Sequence, residues 1–116
     1  MNLGRYGEGL ACAYLKKKGY KIIKRNFYTR FGEVDAVVSK DNVLIFVEVK
    51  TRIGIQSGMP YEAVTAKKLS TIRKVGWLYL SATGTRYKNL RIDVISIVLN
   101  ADYHVAKIEH FENVIL

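Results

Sequence analysis

The chain has 116 residues, 49% of them hydrophobic, and sets 19 Lys and Arg against 10 Asp and Glu for a formal charge of +9. That apolar content excludes a disordered polypeptide and predicts one domain with a continuous core, while no stretch approaches the ~18 consecutive apolar residues of a transmembrane helix. The basic excess favours a polyanionic partner, most simply nucleic acid.

Residues 3–18 place Leu3, Tyr6, Gly7, Leu10, Ala11, Tyr14 and Leu15 at helical spacing, with Gly19 as a stop. Glu8 falls at the edge of this apolar stripe. There it either sits in solvent near the positive end of the helix or reaches a site beside the core. Residues 20–29 alternate loosely into a strand, and 33–39 and 43–50 form a hairpin about Asp41-Asn42. Pro60 or Thr65 opens a long helix ending near Thr83. Residues 90–99 and 103–109 then read as two strands around Asn100-Ala101-Asp102. The order predicts an α/β sandwich: a central mixed sheet, a helix on each face, and the second helix serving as the crossover that returns strand 90–99 parallel to a neighbour.

The hairpin carries the chemistry. A turn at Asp41-Asn42 sets Asp35 opposite Glu48 and Glu33 opposite Lys50. Opposed side chains have Cβ atoms roughly 4.5–5.5 Å apart, where like charges destabilise a sheet unless neutralised. Mg²⁺ or Mn²⁺, hard ions that bind through one or two carboxylates plus substrate phosphates, would neutralise them. The strand period places Lys50 on the face of Glu48. An ordinary cross-strand ion pair at Glu33 and Lys50 fits the same spacing. Residues 43–47, Val-Leu-Ile-Phe-Val, are nevertheless apolar on both faces, as in a buried central strand, and charges at the end of such a strand are commonly functional.

The basic residues flank this acidic centre. Residues 1–30 hold eight bases against Glu8 alone, and residues 67–91 hold seven bases and no acid. Such flanks suit a protein that holds a phosphate backbone around a metal-binding centre, with Arg5, Arg30, Arg52, Lys67 and Lys68 as candidate nucleic-acid contacts. Tyr28, Phe31 and Tyr61 are candidates to stack on unpaired bases, and Asp93 is expected to pair with Arg91 or bond at the core edge. His104 and His110 lack zinc-ligand spacing; Gly4, Gly7 and Gly9 do not follow a strand as a dinucleotide loop requires. The lone Cys12 excludes an intrachain disulfide. With no apolar leader ahead of a small-residue cleavage site, a cytoplasmic protein with no membrane partner is expected.

An acid on the first helix, then Asp, twelve intervening residues and Glu-x-Lys resembles the PD-(D/E)xK nuclease superfamily of restriction endonucleases and archaeal Holliday junction resolvases. More closely, the chain resembles the YraN family of that superfamily, through GRYGEGLA at 4–11, RNF at 25–27, RFGEVD at 30–35, VEVKTR at 47–52, GMPYEAV at 58–64, a lysine at 67 or 68, and RIDV at 91–94. The resemblance implies a restriction-endonuclease-like three-layer α/β/α sandwich and metal-dependent hydrolysis of phosphodiester bonds. Asp35, Glu48 and Glu8 are implied as ligands of Mg²⁺ or Mn²⁺, and Lys50 as the catalytic lysine. Val34 replaces the superfamily's leading proline, and Tyr28 stands where the closer family has a basic residue. Three functions follow as expectations: a nuclease acting on DNA junctions or flaps, alone or as a homodimer; a nucleic-acid-binding module that does not cleave; or a protein-interaction role in which the acids form only ion pairs.

Overall fold

The computed structural model describes residues 1–54, 65–84 and 90–114. Helix α1 (Leu3–Lys17) is followed by β1 (Lys21–Thr29), β2 (Gly32–Lys40), β3 (Val43–Ile53), α2 (Ala66–Thr83), β4 (Leu90–Leu99) and β5 (Val105–Phe111). The five strands form one sheet in the order β1-β2-β3-β4-β5. All neighbours are antiparallel except β3 and β4, which run parallel. The expected three-layer α/β sandwich is present.

Local chemistry sets the ends of the elements. The Asn2 side chain accepts the Arg5 amide at 3.0 Å to begin α1. At its far end Gly19 takes φ +91°, and the Tyr20 amide reaches back to the Leu15 carbonyl. Asp41 and Asn42 both adopt positive φ, the left-handed pair that a tight two-residue hairpin requires. The register Ala36–Val47 through Lys40–Val43 follows from that turn. Thr65 caps α2 by accepting the Lys68 amide at 3.1 Å. The alternative opening at Pro60, with the 58–64 motif and Tyr61, lies outside the described residues.

β3 explains its own composition. Leu44 and Phe46 join Val37, Ile72, Val75 and Val94 beneath α2, whereas Ile45 and Val47 join Ala36, Leu15, Ile95 and Ile97 beneath α1. A strand covered by a helix on each face is apolar at every position. Helix α1 approaches the far end of β3 closely: a Cβ built on Gly7 would lie 1.7 Å from Thr51 Oγ1, so only glycine permits the contact. Cys12 is buried and unbridged in this layer, and burial pushes its thiol pKa up.

One irregularity bears on function. Val34 packs with the α2 layer and Ala36 with the α1 layer, although a regular strand would point both the same way. Between them is Asp35. Across from it on β1, Asn26 takes φ +53°, and the pairing passes from Arg25–Ala36 to Phe27–Val34 without it. Both strands therefore switch faces at this point, and asparagine tolerates the left-handed backbone better than most residues. Such irregularities re-aim a side chain.

Candidate metal centre

The β2–β3 ladder ends at Ala36–Val47. Beyond it β2 stays with β1 through Val34, Glu33 and Gly32, while β3 stays with β4 from Glu48 to Ile53. The sheet forks, and Asp35 sits in the fork, its Oδ2 accepting the Val49 amide at 2.8 Å. That bond holds the carboxylate in place and satisfies a main-chain donor the ladder no longer pairs. The expected oppositions of Asp35 with Glu48 and of Glu33 with Lys50 do not form in the ladder, because the strands have already parted. Glu33 pairs across from Tyr28, and Lys50 lies beside Ser96.

Carboxylate oxygens of Glu8, Glu33 and Asp35 lie within 4.8 Å of one another, all partly buried. Oxygens so spaced fit a Mg²⁺ or Mn²⁺ ion after small side-chain rotations, since such ions take oxygen ligands at about 2.1 Å. One Glu8 oxygen is buried without a hydrogen-bond partner, as a ligand oxygen awaiting a cation would be. Glu48 stands beside this trio. Burial, then its charge, then those of Glu8 and Glu33 push Asp35 up to about 8, against the pull of the Val49 amide. Burial likewise raises Glu48, although the Lys68 ammonium, 3.2 Å from its Oε1, pulls the other way. Carboxyls that resist ionising among other carboxyls form a site short of positive charge.

The sequence expectations meet this geometry unevenly. Glu8 and Asp35 are brought together, with Glu48 near enough to shift Asp35 electrostatically. Lys50 is exposed and makes no ion pair among the described residues; the ammonium on Glu48 is that of Lys68, from α2. Arg5 and Lys67 are exposed, Arg52 is partly buried at the end of β3, and Arg30 lies over the Phe31 ring at 4.9 Å in the β1–β2 turn. Sequence reasoning missed Glu33 as a site acid. The signal was present in Gly32-Glu33-Val34-Asp35, which sets two acids close together on one strand.

A second ionic cluster lies away from the fork. Asp93 is fully buried and takes both nitrogens of an Arg91 fork at 2.9 Å, His110 Nε2 at 2.7 Å and the Asn113 amide at 2.9 Å. Burial alone would raise its pKa, but those bonds together bring it below the ordinary carboxylate range. Asp93 thus ties the segment after β5 to the sheet and has no part in the acid trio.

A sequence model of the family described as "Uncharacterised protein family UPF0102" matches residues 7–97, a span that takes in Glu8, the fork and Asp93. This chain belongs to that family. A UPF0102 protein of Syntrophomonas wolfei is 47% identical over 111 residues, 96% of this chain and 95% of that protein. One of Pelotomaculum thermopropionicum is 44% identical, covering 96% and 92%, and one of Alkaliphilus oremlandii is 45% identical, covering 96% and 95%. UPF0102 is the YraN family, so the resemblance read from the motifs holds. No described helix is long and apolar enough to cross a membrane.

Proposed function

We propose that this UPF0102 protein is a metal-dependent endonuclease that hydrolyses phosphodiester bonds in DNA, with branched or junction structures as its substrates. The convergence of Glu8, Glu33 and Asp35 oxygens within 4.8 Å at the fork supports this reading most directly. A divalent ion bound there would polarise the scissile phosphate and lower the pKa of a water. Asp35, held by the Val49 amide, would offer the ion a fixed oxygen, Glu8 and Glu33 the others that converge there, and Glu48 a neighbouring carboxylate. Lys50, exposed on β3 two residues beyond Glu48, would orient the attacking water and offset charge developing on the phosphate. Arg5, Arg30, Arg52 and Lys67 grip neighbouring phosphates, and a homodimer would present two such sites to two strands.

The test incubates pure protein with branched, nicked and single-stranded DNA and with RNA, in Mg²⁺ or Mn²⁺, beside Asp35→Ala and Lys50→Ala. The expected result is metal-dependent cleavage of branched DNA that falls by roughly 10³-fold or more in either variant. Cleavage surviving both substitutions would belong to a contaminant or to a different site. The second reading, a nucleic-acid-binding module without cleavage, draws on the Lys68–Glu48 pair, which neutralises one acid with no ion. Binding to branched DNA with no product under any metal would select it.

A further inference from the structure

We propose that Lys68 is an exchangeable counter-ion of Glu48: it occupies the carboxylate while no divalent ion is bound, yields it when one arrives, and then contacts a phosphate of the bound strand. The inference rests on the nuclease-site reading above and adds a coupling between metal and nucleic-acid binding. Three observations carry it.

The Lys68 ammonium is 3.2 Å from Glu48 Oε1, and the two side chains differ in freedom, Glu48 being 13% exposed and Lys68 46%. The carboxylate is therefore held by its strand, whereas the lysine has a long, wet stem on which to swing away. Lys68 also lies in the first turn of α2, beside Lys67 and with no acid in that turn. A cation there opposes the helix dipole, so α2 itself gives no reason for one, and the attraction comes from Glu48. Finally, Lys50 makes no ion pair among the described residues, so the ammonium that pairs with Glu48 there arrives from the crossover helix and not from the strand that carries Glu48.

A divalent ion on Glu48 and an ammonium at 3.2 Å cannot share that carboxylate without strong mutual repulsion. Displaced, Lys68 stands at the mouth of a cation-filled site, where the phosphodiester drawn to the ion is the nearest anion. Metal loading then converts a counter-ion into a substrate contact.

The test measures Mn²⁺ binding to the full chain by calorimetry without nucleic acid, for the parent protein, Lys68→Met, Lys68→Arg and Asp35→Ala. It adds the fluorescence anisotropy of a labelled branched DNA in Ca²⁺ and in EDTA. Removing the competing ammonium is expected to tighten Mn²⁺ binding roughly three- to tenfold in Lys68→Met, with Lys68→Arg close to the parent. The gain in DNA affinity that Ca²⁺ brings to the parent should shrink in Lys68→Met. Lys68→Gln replaces the Met variant should that one not fold, and Lys74→Met, on the exposed side of α2, controls for general loss of charge. A folded Lys68→Met with Mn²⁺ affinity equal to or weaker than the parent's overturns the exchange. The nuclease-site reading survives that result as long as parent binding is lost in Asp35→Ala. A parent that takes up no Mn²⁺, or takes it up regardless of Asp35, overturns both.

Discussion

Asp35, partly buried, and Asp93, fully buried, give the molecule opposite responses to pH. Asp35 is raised from 3.8 to about 8, first by burial and then by Glu48, so the folded chain keeps a proton that the unfolded chain releases near 3.8. The stability this provides is complete below pH 3.8 and is lost as pH rises towards 8. Asp93 is lowered, so its contribution is present above the ordinary carboxylate range and is lost as pH falls through its folded value. Asp35→Asn can still accept the Val49 amide but cannot ionise. In metal-free protein it should therefore raise Tm by several degrees more at pH 8 than at pH 5, as read by circular dichroism melts. Equal shifts at both pH values would mean that the charge on Asp35 is not what destabilises the site. Mn²⁺ should raise the parent's Tm more at pH 8 than at pH 5 and have little effect on the variant.

At the level of elements, Glu8 reaches the fork because α1 packs closely against β3, with Gly7 on the side chain of Thr51. Gly7→Ala would gain about 1 kcal/mol of helix propensity, yet its methyl would fall within 2.8 Å of three Thr51 side-chain atoms. Thr51 is β-branched and stiff, so the clash should win and destabilise the fold by about 1–3 kcal/mol net in denaturant titrations. Thr51→Ala should relieve only part of this, since the Thr51 Cβ would still stand 2.7 Å away. The hairpin was legible in the sequence because Asp41-Asn42 sets the register and Val43–Val47 announces a strand covered on both faces. Glu8 was legible because helical spacing put it at the margin of the apolar stripe. The fork was not. Opposing Glu33 with Lys50 assumed a ladder continuing past Ala36, whereas the local switch at Asn26 and Asp35 and the loyalty of β3 to β4 pull the strands apart. The Lys68–Glu48 pair depends on where the crossover helix lands, which no local pattern records.

At the scale of the whole molecule, the acids gathered at the fork stand against a formal charge of +9. Under the nuclease reading, log K for branched DNA should fall linearly with log salt, at a slope of about −0.9 per phosphate contacted. Arg52→Gln or Lys67→Gln should each lower the magnitude of that slope by about 1. A flat line for the parent would remove phosphate contacts from the account. The topology has its own consequence for how the chain comes off the ribosome. β3, among the most thoroughly covered strands, is synthesised long before β4, yet parallel pairing such as Leu44 with Leu90 must wait for the entire crossover to emerge. Until then the nascent hairpin shows an open, greasy edge of Leu-Ile-Phe-Val, and closing it is a slow, non-local event. Misassembly and chaperone demand should concentrate in that interval, before the fourth strand seals the sheet.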